Sequence, residues 1–484
     1  MVATRLRLGD LHLFFRSDHS RKKRCTPSDP CAPTLGILAF EAARTISHLI
    51  SIHNSLSQPQ IHALRNVVFR SRGIQYMNSS DESFLLNLAF SEKMDELDRA
   101  AASVSRLASR CRRQDLQHFD RTYADLKTGN VDLAKLAFSA KEMPREMAKM
   151  EKLAAATAEL YSVMGELTEL ETMVRKLQQQ VMMFATAEKE AEAEMVEQKV
   201  VWHRDHVQRL REACLWSLPF DAVALPMARF ICNIFARICV VFAPYVSDLP
   251  QVICDGNMVF VSPKQLQIFN PFRSGPLERT APKEPPPITA SGPLFHKPRN
   301  GVQASLRSRD AEARRKAAAA RKRPGVMKCA DATTVGCSAL AMRYSDIIIL
   351  ADKILNSVAP VEQEMRQELY RQLPASLQSM VNAKIKKCLE CGDSWLSDEL
   401  MAEGWREAMG QILGWLAPLA YNMMKWQSER NLEQMRFDSQ SSVLLLETLY
   451  FSDKEKTEAA IVEVLAGLSF ICRWEGRRPA GPKP

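Results

Sequence analysis

The chain has 484 residues, 46% hydrophobic, 25% charged and 7% aromatic, a balance that fits a folded protein and excludes disorder throughout. Single domains mostly run to about 100–200 residues, so this length leaves room for two or more cores. The net charge of +9 is concentrated: residues 262–332 carry fifteen Lys/Arg against five Asp/Glu, and the rest of the chain sums to about −1.

Helix formers dominate and long alternating Val/Ile/Thr runs are nearly absent, so the expected fold class is all-α. The reading is of two helical modules, the first containing a long helix or imperfect coiled coil, joined by a basic disordered linker. Expected boundaries are a flexible basic arm at 1–33, an N-terminal helical module at 34–250, a Pro-rich linker at 251–332, a C-terminal helical module at 333–475 and a tail at 476–484. The arm carries Arg21, Lys22, Lys23 and Arg24. Its first residues, MVATRLRLGDLHLFF, lack the apolar core and small-residue cleavage site of a secretory signal. Twelve cysteines without dense, regular spacing favour a reducing compartment.

In LGILAFEAARTISHLISIHNSL, residues Leu38, Ala42, Ile46, Leu49 and Ile50 recur at the period that lines one helix face. Ser57 and Gln60, with Pro59 between them, mark a second helix start, and Ser79 with Glu82 a third. The third continues in a stripe through Leu85, Leu88, Leu97 and Val104. From Glu142 to Trp216 an approximate heptad runs through Leu153, Thr157, Leu160, Met164, Leu167, Val174 and Val181, interrupted by Glu171 and Gln178. A continuous helix there would reach roughly 100 Å and needs a partner, either the helix after Pro219 or a second copy of the chain. The most apolar stretch, FICNIFARICVVFAPYV, is broken by Arg237 and Pro244, so no transmembrane segment is expected.

The linker holds ten of the 25 prolines and cannot bury enough apolar surface to offset its ordering entropy. Beyond it lie VGCSALAMRYSDIIILADKIL, LYRQLPASLQSMVNAKIKKCLECG, WREAMGQILGWLAPLAYNMMKWQSERN and SDKEKTEAAIVEVLAGLSFICRW, each with helical spacing. Ser452 and Glu455 have capping-box spacing.

The chemistry-bearing motifs are sparse. No GxxxxGK[ST], strand-borne GxGxxG, HExxH or GxSxG occurs, which counts against the common nucleotide-binding and hydrolase classes. All nine histidines precede residue 297. His203 and His206 share a predicted helix face without a ligand cluster around them, so surface or partly buried side chains are favoured over a metal site. Cys388 and Cys391 form a CxxC. The next cysteine is Cys472 and no histidine follows, so the pair reads as two thiols at a helix end rather than half a zinc site or a redox dithiol. No catalytic, cofactor-binding or metal-ligating residue is assigned, and no cofactor is expected.

Trp415 and Trp426 fall eleven residues apart on one helix face. Core packing is the favoured reading and a partner surface the alternative; Pro418 between them should bend or restart the helix. The clusters Arg314, Arg315, Lys316 and Arg321, Lys322, Arg323 leave three readings open: a solvated spacer, a nuclear import signal, or nonspecific contact with nucleic acid or anionic membrane. Their bipartite arrangement favours import, and the lack of interleaved aromatic residues weakens single-strand recognition.

The stretches LGILAFEAARTISHLISIHNSLS and SRGIQYMNSSDESFLLNLAFSEKMDELDRAAASVSRLASRC in the first module, with TVGCSALAMRYSDIIILADKIL, ELYRQLPASLQ, the Trp-rich helix and LYFSDKEKTEAAIVEVLAGLSFICRWE in the second, resemble the plant phytosulfokine-simulator family. That resemblance covers most of 34–250 and 333–475. It implies a nonenzymatic regulator of plant growth, an adaptor or scaffold in or near peptide-hormone signalling, with nuclear members and with relatives induced in defence. Implied partners are proteins of growth signalling, with self-association through the long helix open. Nucleus is the favoured location, with cytoplasm or plasma-membrane periphery as alternatives. Two residues depart from the family pattern: Val2 stands where many members carry the glycine that accepts myristate, and Cys337 follows Gly336 where a second glycine is common.

Overall fold

Ala42, Ile46, Leu49 and Ile50 form the buried face of helix α1 (Ala39–Ser55) in a computed structural model that describes residues 33–129, 136–183, 187–242, 244–246, 251–255, 257–261, 325–357, 363–390, 399–430 and 443–475. Thr34, where the ordered chain was expected to start, makes an antiparallel bridge to Pro219. Ser57 stands at the N-cap of α2 (Gln58–Ala63) without a side-chain cap bond, and the helix runs on into a π turn over Leu64–Val68. After α3 (Arg72–Met77) comes α4 (Glu82–Ala108), whose stripe Leu85, Leu88, Leu97 and Val104 is fully buried. The cap of α4 is Asp81, which accepts the Ser83 N–H at 2.9 Å; Ser79 instead accepts the Asp81 N–H. The capping box expected at Ser79 and Glu82 therefore does not form, and a single N-cap bond two residues further on replaces it, because a carboxylate is available nearer the first turn. Helix α5 (Phe119–Lys127) closes this part of the fold.

The long helical region folds back on itself. Helices α6 (Met143–Met183) and α7 (Ala187–Ala213) form an antiparallel hairpin, so the continuous helix of roughly 100 Å does not occur; α6, with 41 residues, spans about 60 Å. Leu160 and Val163 meet Val207 and Leu210, and further along Leu177 meets Ala193 and Val196. The partner of the heptad is thus α7. Helix α8 (Phe220–Phe242), the candidate partner within the chain, packs on α1 and α4 instead. Its Phe230, Ile231, Ile234, Phe235 and Ile238 are at most 1% exposed, each contributing about 1.5–3 kcal/mol through burial. Among the described residues α8 is the one helix long and apolar enough to cross a membrane, and 67% of its apolar window is buried inside the protein.

Structure enters the expected linker from both ends. Strands β1 (Gln251–Asp255) and β2 (Asn257–Val261) pair antiparallel, with Ile253 opposite Val259. This hairpin is the departure from an all-α fold among the described residues. From the other side, the Val326 N–H donates to Asp95 of α4 at 2.6 Å. Residues 262–324 lie outside the described residues.

The second module contains α9 (Ala341–Leu355), α10 (Gln363–Gln372), α11 (Ala375–Glu390), α12 (Glu399–Arg430) and α13 (Lys454–Glu475). Helix α12 continues through Pro418 without restarting there. Pro418 and Gly414, one turn earlier, are both exposed, so the carbonyl that loses its amide partner faces water. The two modules share one apolar core that includes Phe90 and Leu97 of α4, Phe235 of α8, Leu416 and Ala420 of α12, and Leu465 of α13.

Candidate functional site

Where the modules meet, the apolar stripe of α4 is replaced by charge. Glu92 and Glu96 are one helical turn apart, at positions where the 3.6-residue period calls for apolar side chains, and their residues are 2% and 1% exposed. From α12, Arg430 reaches both: Nη2 donates to Glu92 Oε1 at 2.6 Å and to Glu96 Oε1 at 2.8 Å. Trp426 Nε1 donates to Glu92 Oε1 at 2.9 Å, the Leu445 backbone N–H donates to Glu92 Oε2 at 2.6 Å, and Lys93 Nζ donates to Glu96 Oε2 at 3.0 Å. The Arg430 guanidinium also lies over the Trp426 ring, 4.3 Å from its centroid.

The two carboxylates respond oppositely to this setting. Burial pushes Glu92 up to about 7 against the pull of Arg430. Burial also opposes ionisation of Glu96, but Lys93, His48 and Arg430 together bring it down to about 2. Glu96 is therefore the fixed anion of the cluster and Glu92 the group nearest to protonation at neutral pH.

A second polar seam runs along SRGIQYMNSS. Asn78 Nδ2 donates to the Leu446 carbonyl at 2.6 Å, and Ser452 Oγ donates to Asn78 Oδ1 at 2.8 Å. The Asp453 N–H donates to the Met77 carbonyl at 2.8 Å, and Lys456 Nζ to the Tyr76 carbonyl at 3.1 Å. Ser452 is consequently not the cap of α13. That role belongs to Asp453, whose Oδ1 accepts the Lys456 N–H at 2.9 Å. At the opening turn of the second module the Gly336 N–H donates to the Tyr450 carbonyl at 2.8 Å. A Cβ on Gly336 would lie 2.6 Å from that oxygen. Cys337 is exposed, so the close approach at this turn rests on Gly336, and the residue after it meets no comparable constraint.

The sequence-derived candidates fall at separate places. Trp426 belongs to the buried junction. Trp415 is half-buried, edge-on to Tyr76 at 5.4 Å. His203 Nε2 faces Glu166 at 3.5 Å and His206 Nε2 faces Glu159 at 3.8 Å across the α6–α7 hairpin. Among the described residues no group of three or more His, Cys, Asp or Glu is set to hold a metal ion. Cys388 lies in the last turn of α11 and packs beside Ala466 and Phe470; Cys391 lies outside the described residues, as do Arg21, Lys22, Lys23, Arg24, Arg314, Arg315, Lys316, Arg321, Lys322 and Arg323. The residues that sequence reading missed are Glu92, Glu96, Arg430 and Asn78. For the two glutamates the signal was present, as charges interrupting the buried stripe between Leu88 and Val104.

Residues 334–425 match the model described as "Protein of unknown function (DUF668)", and residues 37–93 match "Domain of unknown function (DUF3475)". The junction just described joins the second of these regions to the C-terminal module. Across the whole chain, Protein PSK SIMULATOR 1 of Arabidopsis thaliana is 24% identical over 449 residues, covering 90% of this chain and 56% of that protein. PSK SIMULATOR 3 is 25% identical over 450 residues with coverage of 90% and 56%, and PSK SIMULATOR 2 is 21% identical over 460 residues with coverage of 92% and 61%, both from the same plant. The chain thus spans less than two thirds of the length of these curated relatives. No solved structure matches it.

Proposed function

We propose that this chain, a member of the PSK SIMULATOR family, is a nonenzymatic regulator of plant growth that acts as an adaptor in phytosulfokine signalling. The relatives' names support the signalling context. The adaptor role is carried by one observation: the distal half of the α6–α7 hairpin has its own small apolar cluster of Leu177, Ala193 and Val196, separate from the main core. From Leu167 to Met183 this arm extends roughly 25 Å at about 1.5 Å per residue, and Met182 and Met183 at its end are 91% and 76% exposed. A rigid core with a helical arm of this kind offers surface for protein contacts, and the polar groups at the junction are consumed in joining the modules.

The test is proximity labelling in plant cells, comparing the full chain with a variant in which residues 170–200 are replaced by a short Gly-Ser turn. Loss of a defined set of labelled signalling proteins, with helix content outside the hairpin retained, supports the adaptor role. An unchanged labelled set removes the hairpin from the function. Enrichment of nucleic-acid-binding proteins that depends on the basic clusters would favour a nuclear nucleic-acid-associated factor in its place.

A further inference from the structure

The α6–α7 hairpin has two flanks of different character. One is marked by Arg204 donating to Glu171 at 2.8 Å and Gln178 donating to Glu197 at 2.8 Å; charged and amide side chains predominate along it, with Val201 exposed between Glu197 and Arg204 and Met182 exposed one turn beyond Gln178. The other is marked by Glu159 facing His206 and Glu166 facing His203. Seven residues are two helical turns, so Met173, seven after Glu166, stands on this second flank. Trp202 joins it, stacked on His206 at 5.2 Å, and Met195, seven before Trp202, continues it. These three side chains are 49%, 57% and 53% exposed. Beside them on α6 the exposed Glu169 and Lys176 lie either side of Met173.

We propose that this flank docks against the same flank of a second copy of the chain, antiparallel about a two-fold axis close to Met173, to make a four-helix bundle. The spacing of the groups is self-complementary. Met173 is four residues after Glu169 and three before Lys176, so an antiparallel two-fold near Met173 brings Met173 onto its own counterpart and Glu169 opposite Lys176 of the second copy. Within the hairpin, Val163 and Val207 share one apolar cluster and Leu177 and Ala193 another; pairing them in register sets Trp202 near the level of residue 168 and Met195 near that of 175. The same axis therefore places Trp202 opposite Met195. An isologous contact of this kind repeats every favourable pair twice.

Size fits a reversible association. Three half-exposed large apolar side chains on one flank amount to a patch on the order of a few hundred Å², the size of the largest patch on an ordinary monomer, which is often functional. The flank, roughly 25 Å long and about 20 Å across two helices, falls below the 800 Å² or so per partner of a standard interface. Lys199 stands near the axis, where it meets its own counterpart, so one like-charge contact opposes the pairing. Self-association through this flank does not depend on the growth-regulatory role and can fail or hold independently of it.

Sedimentation velocity of the full chain from roughly 1 to 100 µM tests the proposal. A concentration-dependent dimer is expected. Met173→Glu with Trp202→Glu should abolish it, while Gln178→Glu on the opposite flank leaves it intact; circular dichroism checks that both variants fold. Glu169→Lys and Lys176→Glu should each weaken the dimer by about tenfold, and an equimolar mixture of the two should associate more tightly than either alone, because both cross-copy pairs are then opposite in charge. Lys199→Ala should tighten it. A chain that stays monomeric throughout, a dimer indifferent to Met173→Glu with Trp202→Glu, or a mixture no tighter than its components overturns the proposal.

Discussion

Trp426 donates its indole N–H to Glu92 at 2.9 Å, a hydrogen bond between residues 334 positions apart that closes the junction between the two modules. Arg430 completes the same site by bridging Glu92 and Glu96. Removing one partner of a buried ion pair strands the other charge away from water. Arg430→Met is expected to lower unfolding free energy by about 3 kcal/mol, measured by urea denaturation. A loss below about 0.5 kcal/mol, the range of ordinary surface substitutions, would show that the cluster is solvated and contributes little.

Glu92 gives the junction a pH dependence of definite sign. Its folded-state value is raised to about 7 by burial, so between the ordinary carboxylate range and about 7 the folded protein holds a proton there that the unfolded chain has released. The associated stability is full below the ordinary carboxylate range and is lost as pH rises toward 7. Glu92→Gln removes that titration. The midpoint difference, Gln variant minus wild type, is therefore expected to increase from pH 5 to pH 8 in thermal scans. His48, whose value is lowered by burial, acts in the opposite sense but is present in both proteins and cancels in the difference. A difference that falls or stays flat contradicts the assignment.

Neighbouring residues at the start of α13 serve different ends. Asp453→Ala removes the helix cap and should cost about 1 kcal/mol. Ser452→Ala should cost about as much through loss of its bond to Asn78. A double-mutant cycle separates them: Ser452 and Asn78 are expected to couple by 0.5 kcal/mol or more, and zero coupling would mean that the Ser452 hydroxyl acts elsewhere.

At the first turn of the second module, Gly336→Ala drives a methyl group against the Tyr450 carbonyl. A loss of about 1–3 kcal/mol is expected, the usual cost of overpacking. Cys337→Gly, which restores the residue common in the resembled family, should shift stability far less, since Cys337 is exposed. Equal losses from the two substitutions would refute the distinction.

The basic clusters make a prediction in cells. Changing Arg314, Arg315, Lys316, Arg321, Lys322 and Arg323 together to alanine, with and without replacement of Arg21, Lys22, Lys23 and Arg24, is expected to move a fluorescent fusion from nucleus to cytoplasm. Retention in the nucleus after both changes excludes these residues as the import signal. Plasma-membrane fluorescence of the unaltered protein assigns the charge to anionic lipid instead.

Much of the helical architecture was legible by itself in the sequence, because the 3.6-residue recurrence of apolar side chains is a local property that survives any tertiary arrangement. The stripes on α1 and α4 are read directly from Ala42 to Ile50 and from Leu85 to Val104. Caps were less legible: Ser79 and Ser452 have the right spacing, yet Asp81 and Asp453 take the role, since a carboxylate closer to the first turn competes for the same N–H groups. The heptad from Leu153 to Val181 specified an apolar seam but not its partner. One helix of roughly 100 Å and two antiparallel helices satisfy the same local pattern, and the choice fell to the contact of Leu160 and Val163 with Val207 and Leu210. The junction lay furthest from sequence reading. Glu92, Glu96, Trp426 and Arg430 are meaningful only together, because a buried charge is tolerable only where its partner is brought beside it, and it is the packing of α4 against the second module that brings residues more than 300 positions apart within hydrogen-bonding distance.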